Sequence, residues 1–373
     1  MSQHFRFLFT SFLAILTMSS TLLSCRNEPK VVILRKAKKQ ASADVVVRKE
    51  VRCIAFGSCA QAEKPMPVLD VAIQQKPDIF VWLGDNVYGD TQEISALQRA
   101  YEILGENPFF QRLNSATRLL ATWDDHDYGW NDAGRHYPLK EASKEVFLDF
   151  WDDPRDAPRR NRKGIYTSYL FDGGKQDVHV ILLDTRTFRD NLLRSQSILL
   201  RGSQSFTYMA DYEPQRNADS TLLGLDQWRW LEKQLDVQAD YRIIASSTQF
   251  GIEWNGYESW SNFPREQEKM LRLIAEAEQR AFAPTPTVFI SGDVHYAEIS
   301  KFPRLDGSHV YDITASGITS TWDFATKNAN RIAGPVMENN VGILQLGRPG
   351  KAKISAEIWD ASGQLRIEHP VLP

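Results

Sequence analysis

The run Ile79-Phe80-Val81-Trp82-Leu83 stops at Gly84 and is followed at once by Asp85, with Asn86, Val87, Tyr88 and Gly89 behind it. A short, bounded apolar run of this kind fits a strand covered on both faces. In open α/β sheets ligands bind beyond the carboxyl ends of the strands, which is where Asp85 stands. Taken alone, the stretch also reads as a strand closing on an ordinary Asp-Asn turn. What constrains the fold is that the pattern recurs.

Val51-Arg52-Cys53-Ile54-Ala55-Phe56 reads as a strand ending in Gly57-Ser58-Cys59. Helical alternation over 65–75 returns the chain to Ile79–Leu83, a βαβ unit expected to be right-handed and parallel. A helix over 94–104 precedes the strand Arg118–Trp123, which runs into Asp124-Asp125-His126-Asp127. After a helix over 141–151 and a charged loop over 152–164 come strands at 165–171 and 178–183, the second ending in Asp184-Thr185-Arg186. Residues 188–223 show little periodicity, as lids and binding loops do. A helix at 226–235, a strand at 241–245 and a helix at 264–280 lead to Thr287–Ile290, which ends in Ser291-Gly292-Asp293-Val294-His295. Beyond Ile299 the pattern is mostly β, with no internal repeat and no second domain boundary.

Five strands therefore end on groups that coordinate or polarise: Cys59, Asp85 with Tyr88, Asp125 with His126, Asp184 with Arg186, and Asp293 with His295. A buried carboxylate needs a partner to be tolerated, and a cation is the partner that satisfies several at once. Mixed sulfur, oxygen and nitrogen donors suit a transition metal, whereas an all-oxygen set suits Ca²⁺, Mg²⁺ or Mn²⁺. A thiolate with a phenolate particularly favours trivalent iron. The residues thus predict a metal site. Cys53 and Cys59 are close enough in sequence for a disulfide, but Cys59 is better used as a ligand.

Gly57-Ser58-Cys59, Gly84-Asp85-Asn86-Val87-Tyr88, Trp123-Asp124-Asp125-His126-Asp127 with Asn131, Leu183-Asp184-Thr185-Arg186 and Gly292-Asp293-Val294-His295 resemble the PhoD-like alkaline phosphatase family of calcineurin-like metallophosphoesterases. The motifs occur in family order and cover roughly residues 51–322. The resemblance implies an α/β fold, a sandwich of two mixed β-sheets flanked by helices, with metals between strand ends. It implies a metal-dependent alkaline phosphatase or phosphodiesterase acting on phosphate esters. Fe³⁺ would be held by Cys59, Asp85 and Tyr88, with Asp293 or His295 completing the shell, and other divalent ions remain open. Asp85 would bridge to Ca²⁺, with Asn131 as a further ligand. Gln249 stands where related phosphatases have a ligand His, which leaves the full dinuclear shell open.

For the chemistry, Asp125 and His126 are the catalytic candidates, His126 as the acid that protonates the leaving alkoxide or as the group that orients Asp124 or Asp125. Arg186, with Arg135 and Arg160, is a candidate for holding phosphoryl oxygens, and Arg186 also reads as an ion-pair partner of Asp184. His179, Trp82, Trp123 and Trp228 read as packing.

Residues 7–23 are apolar, lack acids and follow Arg6, as in a secretory signal peptide. The ending Leu22-Leu23-Ser24-Cys25 resembles a lipobox, which implies a lipid on Cys25. The expected organisation is a signal at 1–24, a basic tether at 25–50 that ends in a short edge strand near Val45–Val47, and one catalytic domain at 51–373. The expectation is an exported lipoprotein anchored in a membrane, with plain secretion or an uncleaved anchor as the alternatives. A net charge of -3 implies no general nucleic-acid binding surface. Two other functions compete: a phospholipase-like hydrolase of lipid or polymer phosphodiesters, and a non-catalytic surface-binding lipoprotein on the same fold. Oligomeric state is not readable from the sequence.

Overall fold

The computed structural model describes residues 42–195, 211–281, 283–347 and 353–372. The expected signal segment, Cys25 and the tether up to residue 41 lie outside them, as do residues 196–210 of the aperiodic segment. The tether's end is part of the fold: β1 (Val45–Val47) pairs in parallel with β5 (Thr167–Asp172). The unit containing the sheets begins at Gln40, ahead of the expected boundary at residue 51.

In one sheet, β2 (Cys53–Gly57), β3 (Ile79–Leu83) and β4 (Arg118–Thr122) run parallel. Three antiparallel strands extend it from β2: β14 (Asn340–Leu346), β15 (Ile354–Asp360) and β16 (Leu365–Leu372). The second sheet has the order β1-β5-β6-β9-β10-β12-β11-β13. Its parallel centre is β6 (Asp177–Leu182), β9 (Tyr241–Ser246), β10 (Thr287–Ser291) and β12 (His309–Ala315). Its edge is completed by β11 (Ala297–Pro303) and β13 (Arg331–Val336). A small hairpin, β7 (Leu193–Arg194) with β8 (Tyr212–Glu213), lies in the aperiodic segment.

The period-two alternation of side chains builds the layers. Ile54, Phe56, Val81 and Leu83 point into the space between the sheets and meet Val180, Leu182, Ile243, Ile290 and Ile313. The alternate residues Ala55, Phe80 and Trp82 point outward, under the helices α1 (Pro67–Gln74), α2 (Ile94–Glu106), α3 (Pro108–Ala116) and α5 (Lys140–Phe150). On the opposite face Ile181, Ile244 and Phe289 are covered by α6 (Gly224–Leu235) and α7 (Pro264–Arg280). Each such apolar side chain contributes about 1.5–3 kcal/mol by leaving water. Packing between the sheet strands is tight at Gly342, where a Cβ would stand 2.2 Å from the Phe56 ring.

Helix α3 was not expected. Asn107 caps it, accepting from the Phe109 amide at 3.0 Å, and Pro108 occupies the first turn. The expected single helix therefore continues, after a break at Asn107, into a second one. The ligand-bearing strand ends come from two sheets rather than from one. The ends of β2, β3 and β4 face those of β6, β9 and β10, which share one side of the sandwich.

Candidate metal centre

The loops that leave these strands are held in unusual backbone conformations. Cys59, Asp85, Asp293 and His295 all have positive φ, at 62°, 49°, 75° and 61°. Such conformations cost a non-glycine residue on the order of 1 kcal/mol or more, and they cluster at functional sites. Gly84 precedes Asp85 with φ of 100°, and a Cβ there would lie 2.5 Å from the Cβ of Asp124. The β2 and β3 loops are tied by the Ala60 amide donating to Asp85 O at 2.9 Å. The β10 loop is tied to that of β9 by the Gly292 amide donating to Ser247 O at 2.9 Å.

Three groups of donors result, each with ligand atoms within 4.8 Å of one another: Cys59, Asp85 and His295; Asp85, Asp125 and His126; Asp125, Asp132 and Glu258. Asp85 belongs to the first two and Asp125 to the last two. The Tyr88 hydroxyl reaches Asp85 Oδ2 at 3.4 Å, and Cys59 Sγ lies 3.4 Å from the same oxygen. The residues fit metal binding on independent grounds. Among the described residues, Asp85 Oδ1 and Asp125 Oδ1 are buried side-chain atoms without a hydrogen-bond partner. A buried carboxylate oxygen left so is costly, and a bound cation would answer it. Cys53 and Cys59 are both thiols, and no disulfide joins them.

The protonation of the centre points the same way. Burial, then the neighbouring Asp125 charge, pushes Asp85 well above the usual carboxylate range. Burial with the charges of Asp124 and Glu258 does the same to Asp293, and burial with Asp85 holds the Cys59 thiol high. Tyr88 is raised by burial and by Cys59 and Asp85. Asp132 is pushed up to about 7 by burial and Glu258. Asp125 also suffers from burial, but the Arg186 and His126 charges outweigh it and bring it down to about 2. Without a cation most of this cluster holds protons, and a bound cation would displace them.

His126 is the exception that carries positive charge. Burial opposes its proton, yet the hydrogen bond between Nδ1 and Asp90 and the charges of Asp85 and Asp125 push it up to about 10. Its ring packs on Tyr88, with centroids 4.3 Å apart.

The structure separates the remaining sequence candidates. Arg186 is fully buried beneath the carboxylates. Its guanidinium is shared by Asp124 and Glu258 and lies 3.7 Å from Asp125, so it positions ligands and has no open path to a phosphoryl group. It does not ion-pair with Asp184, whose carboxylate accepts from the Arg186 and Thr187 amides and from Trp123 Nε1. Arg160 is spent on Glu145, Asp149 and Asp153 O, its side chain only 8% exposed, which removes it from the substrate candidates. Arg135 stays half-open and pairs with Asp190 at 2.9 Å. Asn131 is exposed, and its neighbour Asp132 belongs to a donor group. Gln249 donates to Glu298 and Thr314, at 3.0 Å each, and does not face the centre. Asp90, Asp132 and Glu258 were not anticipated, and their type alone would not have marked them.

Two facing mixed sheets, helices on both outer faces and donor-bearing strand ends between them define a layered α/β fold with a candidate metal centre. The chain belongs to the PhoD-like phosphatase family, whose family model matches residues 54–357. Among curated proteins it is 23% identical over 322 residues to alkaline phosphatase D of Bacillus subtilis (strain 168). That match covers 74% of this chain and 52% of the relative, so the chain spans about half the relative's length. Of solved structures, PhoD superposes with a TM-score of 0.60 at 18% identity, covering 86% of this chain and 72% of that one. The Plasmodium protein GAP50, the anchor in the inner membrane complex, superposes at 0.51 with 14% identity, covering 87% of this chain and 89% of its own. At such identities these likenesses speak for the fold.

Proposed function

We propose that this chain is an exported, metal-dependent phosphatase or phosphodiesterase that hydrolyses phosphate esters. The observation that carries the reading is that Asp85 and Asp125 lie together and each belongs to one flanking donor group, with Asp85 Oδ1 buried and unpartnered. Cys59, Asp85, Tyr88 and His295 supply the mixed donor set that suits ferric iron. Asp125, Asp132 and Glu258 supply an all-oxygen set suited to Ca²⁺ or another hard ion. Asp132 and Glu258 thereby take the part first expected of Asn131. Asp293 borders both sets.

Bound there, a metal pair supplies Lewis acidity to the phosphoryl oxygens and activates water for attack. The chain's own groups do the rest. Arg186 fixes Asp124 and Asp125 in place from below. Arg135 pairs with Asp190 and borders an open groove with His136 and Lys140, which none of the donor residues lines. As water oxygen bonds to phosphorus and the P–O ester bond breaks, His126 gives its proton to the departing alkoxide. Such acid catalysis typically contributes ~10²–10⁴-fold. Asp90 keeps that imidazole protonated and oriented.

Export and anchoring rest on the sequence of residues 1–25. Among the described residues no helix is long and apolar enough to cross a membrane. The lipobox-like Leu22-Leu23-Ser24-Cys25 supports a lipid on Cys25 as the tether.

Hydrolysis of monoester and diester probes by the reconstituted protein tests the proposal. Asp85→Asn should stay folded and lose at least ~10³-fold in turnover, and retained turnover would remove Asp85 from the centre. Tyr88 bound to ferric iron should give a visible charge-transfer band that Tyr88→Phe abolishes. An active, iron-free and colourless protein would reject iron.

A further inference from the structure

The rim of the centre beside His295 is built of rings that no ligand role explains. His295 is tied through Nδ1 to Ser320 O at 3.0 Å, and Trp322 covers its ring with centroids 5.0 Å apart and planes 19° from parallel. Trp322 stacks in turn on Phe324, at 5.1 Å and 10°. Tyr257 packs beside both, 5.8 Å from Trp322 and 6.3 Å from Phe324. Packing around His295 would need only Trp322. The series instead continues outward and ends on Phe324, which is 47% exposed. Trp254, in the loop before Tyr257, is 45% exposed and donates to Tyr212 O, while the Tyr212 hydroxyl bonds Asp132. Rings therefore border the centre on its His295 side and on its Asp132 side.

Phe324 is exposed while Trp322 and Tyr257 are half-buried, and aromatic faces left open beside a set of buried donor groups mark a place where something apolar binds. Aromatic faces accept flat π-systems in offset stacks, as the Trp322–Phe324 pair already does. Glu253 and Asp323, both exposed, flank these rings and disfavour a polyanionic occupant. An uncharged planar group fits both observations.

We propose that the shelf formed by Trp322, Phe324 and Tyr257 receives the alcohol side of the ester, and that preferred substrates carry a planar, uncharged ring system there, as nucleoside and aryl phosphates do. The inference rests on the reading of the centre as a phosphate-ester hydrolase. Phe324 then determines specificity and touches no reacting atom.

The test compares kcat/KM of the reconstituted full chain for adenosine 5′-phosphate, phenyl phosphate and glycerol 2-phosphate, in wild type, Phe324→Ala and Phe324→Trp. Loss of one stacked ring should lower kcat/KM for a ring-bearing ester relative to glycerol 2-phosphate on the order of ten-fold, through KM. Phe324→Trp should restore it. Which ring-bearing ester responds tells nucleoside from aryl alcohols. An equal loss on all three esters, or no change in the ratio, would mean that the rings merely prop His295 and would overturn the proposal. If wild type turns over none of these monoesters and no diester probe, the hydrolase reading fails, and saturation-transfer NMR with adenosine reads the shelf alone. Contact with wild type that disappears in Phe324→Ala keeps the shelf, and absence of contact removes it.

Discussion

Asp90 touches no reacting atom in the proposed chemistry, yet it sets the protonation of one that does. Its hydrogen bond is the strongest of the effects that hold the His126 proton against burial. A general acid works while protonated, so activity falls as pH rises through its pKa. Asp90→Asn removes a raising influence, and the alkaline limb of the pH–rate profile should move to lower pH by about one unit or more. An unmoved limb would take the proton away from His126. No motif marks this pair, because Asp90 and His126 meet through the spacing of two loops. Asn131 and Asp132 teach the same lesson. They are adjacent, but a φ of 57° at Asp132 accompanies the turn that brings its carboxylate to the centre, and residue type alone does not reveal that choice. Depth was equally hidden: nothing in Asp184-Thr185-Arg186 tells whether the guanidinium is fully buried or open to a substrate.

Elements were far more legible than contacts. Parallel strands buried on both faces must be apolar throughout, which is why Ile79–Leu83 and Thr287–Ser291 could be read almost to the residue. The helix Pro264–Arg280 begins on a proline and carries its apolar stripe at helical spacing, so both its ends were readable. By contrast β13 lies at the sheet edge, where partial exposure dilutes the pattern. The turn after β3 makes a sharper demand. Gly84→Ala would place a Cβ against Asp124 at a backbone angle suited to glycine, and the turn must shift, carrying Asp85 with it. The protein should keep its fold and lose metal affinity about ten-fold or more, read by metal titration. Gly307→Ala has comparable φ, at 80°, but open space around it, and should leave metal affinity untouched. Equal effects from both would show that the β3 turn has no special part in the centre.

For the whole molecule, the buried acids link stability to pH and to metal. Asp85 and Asp293 are raised above their unfolded carboxylate values, so the metal-free protein has their contribution in full only below the ordinary carboxylate pKa. That contribution is lost as pH rises through the raised values, because ionising them in the fold goes unanswered. A cation reverses the sign by pairing with the ionised forms. Calorimetry in chelator should therefore show Tm falling from pH 5 to pH 8, and reconstitution should raise Tm more at pH 8 than at pH 5. A metal-independent Tm at both pH values would separate these acids from metal binding. The central claim is that Asp85, beside Asp125, links two cation sites into one hydrolytic centre. Turnover titrated against bound metal per chain tests it most directly: activity should be absent without metal and should rise with the second equivalent in wild type, while Asp85→Asn fails to take up that equivalent and stays inactive. Full turnover by metal-free protein, or by Asp85→Asn at wild-type metal content, would contradict it.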